Sequence, residues 1–199
     1  MKVLSLDASK YKLKWALFKL PLGEELASGL IESIGKKESL RRLHWRTLND
    51  TKRIDVPNFE CAVQLILNDL IAFSVIDSID EIEAIGHRIL EGGEYSKEST
   101  IVFCEKGEKL TNLSDYTLMN NSFQMEIIRI FQRLTPQMVN VAVVDTVIYR
   151  QAKMSSNRSI INQVAVNKRP FIQRISDYVQ DGRIIAAEVY RILGERVRV

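Results

Sequence analysis

The chain has 199 residues, of which 46% are hydrophobic and 27% charged, and its formal net charge is +3. This composition is typical of soluble globular proteins, and the length corresponds to one large domain or two small ones, which excludes a disordered chain, a collagen-like chain and a small disulfide scaffold. Cys61 and Cys104 lie far apart in the sequence without histidine neighbours, so we expect no zinc site and a reducing, cytoplasmic location. The longest nearly apolar stretch, Ala62 to Ile76, is shorter than a membrane-spanning helix requires, so we expect no membrane association.

The charge is distributed unevenly along the chain. Arg150 to Val199 contains ten Lys or Arg residues and four Asp or Glu residues, so this part is basic while the rest is slightly acidic. Basic segments attract polyanions, but here acidic and basic residues alternate at helical spacing and aromatic residues are sparse. We therefore interpret the segment as a solvated helix surface and expect no nucleic-acid partner.

The first third of the sequence predicts antiparallel strands. Lys2 to Asp7 is a short apolar strand that ends in an acid, and Leu13 to Leu17 alternates apolar and polar residues after a polar turn. Together they predict a hairpin with one buried face. Leu26 to Ile34 supplies a third antiparallel strand, and Leu43 to Leu48 a further extended segment.

Helices and strands alternate in the remainder. Apolar residues recur at helical spacing after Pro57, which predicts an amphipathic helix, and Ile82 to Gly86 returns to strand character. A brief strand at Ile101 to Phe103, a second helix and the buried strand Val139 to Val144 follow. The final helix is predicted from about Arg183 to Glu195. This order predicts an α/β domain with a mixed sheet covered by helices, in which Ile82 to Gly86 and Val139 to Val144 run parallel to the first strand.

Two acids, Asp7 and Asp145, each stand at the end of a predicted strand. Ligands of open mixed sheets bind beyond the carboxyl ends of the strands, so these two acids are expected to share one site. Both the actin-like ATPase and sugar-kinase superfamily and the RNase H-like nucleases use this strand order with acids at such positions. The pattern alone leaves both classes open.

Several segments resemble the motifs of acetate kinases. Ala84 to Glu94 resembles A-V-G-H-R-V-V-H-G-G-E, and Lys2 to Lys14 resembles K-V-L-V-I-N-A-G-S-S-S-L-K. Leu118 to Asn121 stands where L-H-N-P is expected, Val144 to Gln151 where F-D-T-A-F-H-Q is expected, and Phe171 to Val179 is similar to F-H-G-T-S-H-R-Y-V. The resemblance covers the whole chain but only the first half of an acetate kinase. It implies one RNase H-like (actin-like ATPase) domain over residues 1–199, with the second, adenosine-binding domain absent.

The resemblance also implies roles for individual residues. Arg88 and Asp145 match catalytic positions, at which the arginine stabilises charge on the transferring phosphoryl group and the aspartate orients the carboxylate. Asp7, Lys10 and Lys14 match the loop and strand that bind phosphate and metal, although the family's asparagine, glycine and serines are changed there. ATP and Mg²⁺ are the cofactors that the family implies, while the sequence itself requires none.

The implied substrate pocket is retained better than the catalytic groups. Leu90, Leu118 and Phe171 fall on the positions that form the family's apolar acetate pocket. Two charge-stabilising histidines are replaced, one by Met119 and the other by Ile172. Because losing one such donor typically costs about 10²–10³ in rate, we expect the chain to be inactive alone.

Three functions of different class remain. The first, which we favour, is a non-catalytic acetate-kinase-like domain that acts as a binding or interaction module. The second is a carboxylate kinase half that a partner chain completes, which a neighbouring gene for an adenosine-binding half would indicate. The third is a metal-dependent RNase H-like nuclease using Asp7 and Asp145, which would need further acids converging on the same metals.

The resemblance also leads us to expect a partner. If the second domain is absent, the former domain junction is exposed, and an apolar surface of that size is normally covered. We expect a homo-oligomer or a protein partner that covers Tyr149 to Ser176, and a small carboxylate or phosphate as the small-molecule ligand.

Overall fold

The structure, a computed structural model, describes residues 1–89, 99–102, 122–146, 148 and 171–196, with the backbone alone for 171–179, 195 and 196. The strands are Lys2–Ser9 (β1), Lys12–Lys19 (β2), Glu24–Glu32 (β3), Ser39–Trp45 (β4), Leu48–Ile54 (β5), Ile82–Ile89 (β6), Thr100–Val102 (β7) and Val139–Val144 (β8). The helices are Phe59–Ala72 (α1), Ser122–Leu134 (α2) and Phe171–Arg196 (α3), with a short 3-10 helix at Ile79–Glu81. All eight strands form one sheet in the order β5-β4-β3-β2-β1-β6-β8-β7.

The first five strands pair antiparallel in chain order, which confirms the predicted hairpin and third strand. The single extended segment expected at Leu43 to Leu48 is wrong, because this stretch contains the end of β4, a turn and the start of β5. Arg46, at a φ of 53°, takes the left-handed conformation in that turn. The sequence pattern did not indicate β5, because it is a mostly exposed edge strand whose side chains follow no hydrophobic alternation.

The two later strands next to β1 run parallel to it. β6 pairs parallel with β1, and β8 pairs parallel with β6, while β7 is antiparallel to β8 at the edge. This confirms the predicted directions of Ile82 to Gly86 and Val139 to Val144. Because the crossovers return the chain to the same end of the sheet, β1, β6 and β8 have their carboxyl ends side by side.

Helices cover both faces of the sheet. Successive side chains of a strand point to opposite faces, so Leu4 of β1 belongs to the core cluster under α1 and α2, while Val3 belongs to the cluster under α3. Phe131 of α2 is fully buried in the first cluster, and Ile185 of α3 in the second. The central strands are therefore buried on both sides, and their carboxyl ends remain as the place where polar side chains gather.

Helix α3 begins at Phe171, twelve residues before the expected start near Arg183. The expected start was wrong because Gly182 weakens the helical pattern and Asp181 interrupts the apolar face. In the structure, a Cβ added at Gly182 would lie 2.7 Å from Oγ of Ser5, so the glycine permits a close approach of helix and sheet rather than ending the helix. Although α3 has 26 residues, no described helix is both long and apolar enough to cross a membrane.

Candidate functional site

Arg88 is the centre of a cluster of charged side chains at the carboxyl ends of the central strands. Its Nε donates a 2.7 Å hydrogen bond to Oδ1 of Asp145. Its Nη1 lies 3.3 Å from Oδ2 of Asp181 and 3.6 Å from Oδ2 of Asp7. The structure thus brings together Asp7, Arg88 and Asp145, and it adds one acid that the sequence did not indicate.

The register of the parallel strands explains why these residues meet. β1 continues two residues beyond its predicted end at Asp7, to Ser9. Leu6 of β1 is the partner of His87 of β6, so the next residues, Asp7 and Arg88, lie side by side near the carboxyl ends of their strands. β8 lies on the other side of β6, and Asp145 is the first residue after it. Each of the three residues is therefore positioned by a buried strand, which limits how far its backbone can move.

Asp181 reaches the cluster from α3, and the sequence interpretation missed it. One signal could have identified it, because Asp181, Ile185 and Val189 recur every four residues and place the acid on the buried face of the helix. An acid on an apolar helix face requires a cationic partner. Arg88 is that partner, although the two residues are 93 positions apart in the chain.

The guanidinium of Arg88 stays charged in this surrounding. Burial alone would lower the pKa of Arg88, but the hydrogen bond to Asp145 and the negative charges of Asp7, Asp145 and Asp181 outweigh burial and raise it. A charged guanidinium with a planar set of N–H donors is well matched to carboxylate and phosphate oxygens. The cluster therefore contains a permanent cation beside three acids.

The surroundings of Asp181 disfavour its ionised form. Burial raises the pKa of Asp181, and the charges of Asp7 and Asp145 raise it further, while Arg88 and Lys14 act in the opposite direction without cancelling the rise. Ionised Asp181 is thus destabilised relative to an aspartate in water. A gain in the stability of the folded protein therefore does not explain why Asp181 lies beside Arg88.

The two lysines predicted at the site have different surroundings. Lys14 is the register partner of Asp7 on β2, and its Nζ lies 3.4 Å from Oδ2 of that acid. Nζ of Lys10 lies 5.2 Å from the ring centre of Tyr11, which Lys36 also approaches. Hydrogen bonds from Lys10 and Lys36 lower the pKa of the Tyr11 hydroxyl. Among the described contacts, none links Lys10 to Arg88, so only Lys14 joins the cluster.

The predicted pocket residues fall outside the described side chains. Leu90 and Leu118 lie outside the described residues, and Phe171 and Ile172 are described only as the helical backbone at the start of α3. The segment Tyr149 to Ser176, expected to carry the partner surface, is undescribed up to residue 170 and continues as backbone alone. The apolar pocket and the partner surface therefore remain predictions from the sequence.

His87, next to Arg88 on β6, is a buried structural histidine. It is 2% exposed, and its Nε2 lies 2.8 Å from Oδ1 of Asn140. Because Nδ2 of Asn140 donates to the carbonyl of Met138, its Oδ1 must accept from His87, which assigns the ring proton to Nε2. Burial lowers the pKa of His87 to about 4, so the ring is neutral at physiological pH.

Two buried polar atoms beside the acids have no hydrogen-bond partner in the described part of the chain. Gln124 of α2 donates from Nε2 to the carbonyl of Ala8, which follows Asp7, but its own Oε1 is unpartnered. Oγ1 of Thr146, which follows Asp145, is also unpartnered. Buried polar atoms are normally satisfied. Both atoms are buried, so they are unsatisfied groups of the interior next to the acids and are not open to a ligand in this structure.

The described residues do not form a metal site. Nowhere in the ranges given above do three or more His, Cys, Asp or Glu side chains group so that they could hold a metal ion. The space among the acids is taken by the Arg88 guanidinium, and a cation there opposes the binding of a second cation. This arrangement does not fit Mg²⁺ held between Asp7 and Asp145, and it disfavours the nuclease alternative, which needs metals at these acids.

Comparisons with known sequences agree with the resemblance. The family model of the acetokinase family matches residues 2–191. Acetate kinases of Streptococcus pneumoniae strains Hungary19A-6 and R6 are each 38% identical to this chain over 145 residues. The matched part is 73% of this chain and 37% of each relative. This chain therefore corresponds to well under two thirds of the relatives' length.

Solved structures of similar proteins have the same fold as this chain. The crystal structure of Porphyromonas gingivalis acetate kinase is similar with a TM-score of 0.67 and 26% identity, covering 80% of this chain and 41% of that one. A propionate kinase from Francisella tularensis is similar in fold, with a TM-score of 0.64 at 21% identity, covering 84% of this chain and 42% of that one. These likenesses confirm the α/β fold with an actin-like ATPase topology that the motifs predict.

Proposed function

This chain belongs to the acetokinase family, and we propose on that premise that its Arg88 site binds short-chain carboxylates and that the 199-residue chain by itself does not transfer a phosphoryl group. Binding without turnover is the behaviour of a binding or interaction module. Similar proteins are acetate and propionate kinases. Acetate and propionate are therefore the first ligands to test.

The capacity to bind a carboxylate is supported by the hydrogen-bonding groups of Arg88. Its guanidinium offers five N–H donors, and the described contacts to acids use Nε and Nη1. Nη2 is the donor group that these contacts leave for an external carboxylate. With 17% of the Arg88 side chain exposed, a small ligand can reach it. Because three acids already share this cation, we expect weak binding, with a dissociation constant of about 1 mM.

The net charge of the site is the main observation that supports the lack of phosphoryl transfer. Phosphoryl transfer needs cations around the transferring group. In the described cluster, Arg88 and Lys14 face three carboxylates, so negative charge exceeds positive charge. The resemblance adds that Met119 and Ile172 replace the two histidine donors. The described cluster therefore has no excess positive charge that could stabilise a phosphoryl group.

Calorimetry of the purified chain against acetate, acetyl phosphate and ATP with Mg²⁺ tests both halves of the proposal. Acetate should bind to the wild type and not to Arg88→Ala. Arg53→Ala is the matched control, because Arg53 is 77% exposed in an ion pair with Glu38, and this variant should bind acetate normally. An acetyl phosphate assay on the same samples should detect no product.

Two results would overturn the proposal, and each overturns a different half. Acetate binding that is absent from the wild type, or unchanged in Arg88→Ala, contradicts the binding site. Robust acetyl phosphate formation that Arg88→Ala abolishes contradicts the lack of turnover. If turnover appeared only after a second polypeptide was added, the chain would be a kinase half that a partner completes.

A further inference from the structure

Asp181 is held against Arg88 by the packing of α3 on the sheet. Ser5 of β1 and Gly86 of β6 are register partners, two residues before Asp7 and Arg88 respectively, and α3 lies across this pair. A Cβ added at Gly86 would lie 2.5 Å from Cγ2 of Ile185, and one added at Gly182 would meet Ser5. The helix therefore approaches the sheet as closely as a glycine allows.

This close packing determines where the Asp181 carboxylate lies. Asp181 directly precedes Gly182, and its Oδ2 is 3.3 Å from Nη1 of Arg88. With α3 fixed on Ser5 and Gly86, the carboxylate cannot leave Arg88 by movement of the whole helix without breaking buried contacts. The backbone of Asp181 is thus fixed beside Arg88, although the side chain is 35% exposed and its ionised form is destabilised there.

The charge of Asp181 acts on any anion that approaches Arg88. Electrostatic repulsion is proportional to the charge of the ligand, so a dianion is repelled twice as strongly as a monoanion at the same position. Asp7 and Asp145 already balance the charges of Arg88 and Lys14. The carboxylate of Asp181 therefore provides the excess negative charge of the described cluster.

We propose that Asp181 is a specificity-determining residue, which makes the Arg88 site select monoanionic carboxylates over phosphate dianions. This inference rests on the proposed binding of carboxylates at Arg88 and adds the residue that sets the ligand class. A site without this acid would accept phosphate as readily as its donors allow. Asp181 acts through its charge and is not needed to contact the ligand.

Titrations of the wild type and Asp181→Asn with acetate and with inorganic phosphate, at a pH where phosphate is a dianion, test the inference. Asp181→Asn should bind acetate about tenfold more tightly and phosphate about a hundredfold more tightly, because removing one charge acts once on a monoanion and twice on a dianion. Asp181→Glu keeps the charge and should keep the wild-type selectivity. Asp80→Asn removes a charge from the exposed 3-10 helix before β6 and should change neither affinity.

The possible failures are distinguishable. If the wild type binds acetate but Asp181→Asn gains equally for both ligands or for neither, the specificity role is wrong and the proposed function stands. If Asp181→Glu loses selectivity, the effect belongs to side-chain shape and not to charge, which also overturns the role. If none of the variants binds acetate, both the proposed function and the specificity role are wrong.

Discussion

Asp145 and Arg88 are joined by a 2.7 Å hydrogen bond although they are 57 positions apart in the chain. Both side chains are largely withdrawn from water, at 15% and 17% exposure. An ion pair in such a place depends on both partners, because the loss of one leaves the other as an uncompensated charge. The stability of this end of the sheet and the carboxylate binding proposed for it therefore depend on the same residue.

Arg88→Ala should destabilise the protein strongly. It leaves three carboxylates close together without their main cation, and breaking a buried pair in this way costs about 3 kcal/mol. Arg53→Ala should cost less than about 0.5 kcal/mol, because its ion pair is exposed. Denaturant unfolding at neutral pH measures both, and equal losses for the two variants would contradict the account of the cluster. Adding Asp145→Asn and Asp181→Asn to Arg88→Ala should recover part of the loss.

The buried His87 should make folding sensitive to mild acid. Its pKa is lowered to about 4 in the folded protein from an ordinary 6.5, so the unfolded chain takes up the proton first as the pH falls. The contribution of His87 to the free energy of unfolding should be constant above pH 6.5. It should decrease by about 3 kcal/mol between pH 6.5 and 4 and stay constant below pH 4. Unfolding free energies measured across that range should lose most of this slope in His87→Gln. His44→Gln should keep it, and a persisting slope in His87→Gln would contradict the assignment.

Gly182→Ala should shift α3 away from the sheet. The added methyl group would lie 2.7 Å from Oγ of Ser5, and overpacking of this kind costs about 1–3 kcal/mol. Gly194 is the control on the same helix, because nothing lies within 4 Å of a Cβ added there, and Gly194→Ala should be neutral or stabilising by up to about 1 kcal/mol. Removing the Ser5 hydroxyl should reduce the cost of Gly182→Ala. A cost unchanged in Ser5→Ala would show that the two side chains do not meet.

Asp181→Asn should stabilise the protein at neutral pH. The folded-state pKa of Asp181 is raised, mainly by burial, so its ionisation costs the native state stability above the ordinary value of 3.8. Asparagine removes that cost, and the advantage of the variant should disappear as the pH falls below 3.8. Unfolding free energies of wild type and variant across pH 3 to 8 give the comparison. A variant less stable than the wild type at pH 7 would mean that the ion pair with Arg88 outweighs burial.

The sequence predicted much of the fold and most of the cluster. The direction of the central strands follows from crossover rules, and the rule that ligands bind at strand ends indicated that Asp7 and Asp145 share a site. Arg88 became a candidate only through its motif, because an arginine at the end of a strand is by itself compatible with an ordinary ion pair. The register that places it between the acids is a property of the folded sheet.

Other features depended on tertiary packing. Asp181 was missed because Gly182 looks like a helix boundary in the sequence, while the close approach to Ser5 that requires this glycine exists only in the fold. The hairpin of β4 and β5 was missed because an exposed edge strand has no buried face to produce alternation. Gly182 is required by a contact with a residue distant in the chain, and the pattern of β5 results from its exposure to solvent, so neither could be predicted from neighbouring residues.

The most direct test of carboxylate binding at Arg88 is an acetate titration followed by the NMR signal of its Nε–H group, assigned by its loss in Arg88→Lys. This proton lies in the hydrogen bond to Asp145, so it reports on a ligand that joins the guanidinium. We expect a saturable shift of this signal with acetate, with no acetyl phosphate formed when ATP and Mg²⁺ are added. An Arg88 signal that does not move, while acetate binds elsewhere or not at all, would contradict this expectation.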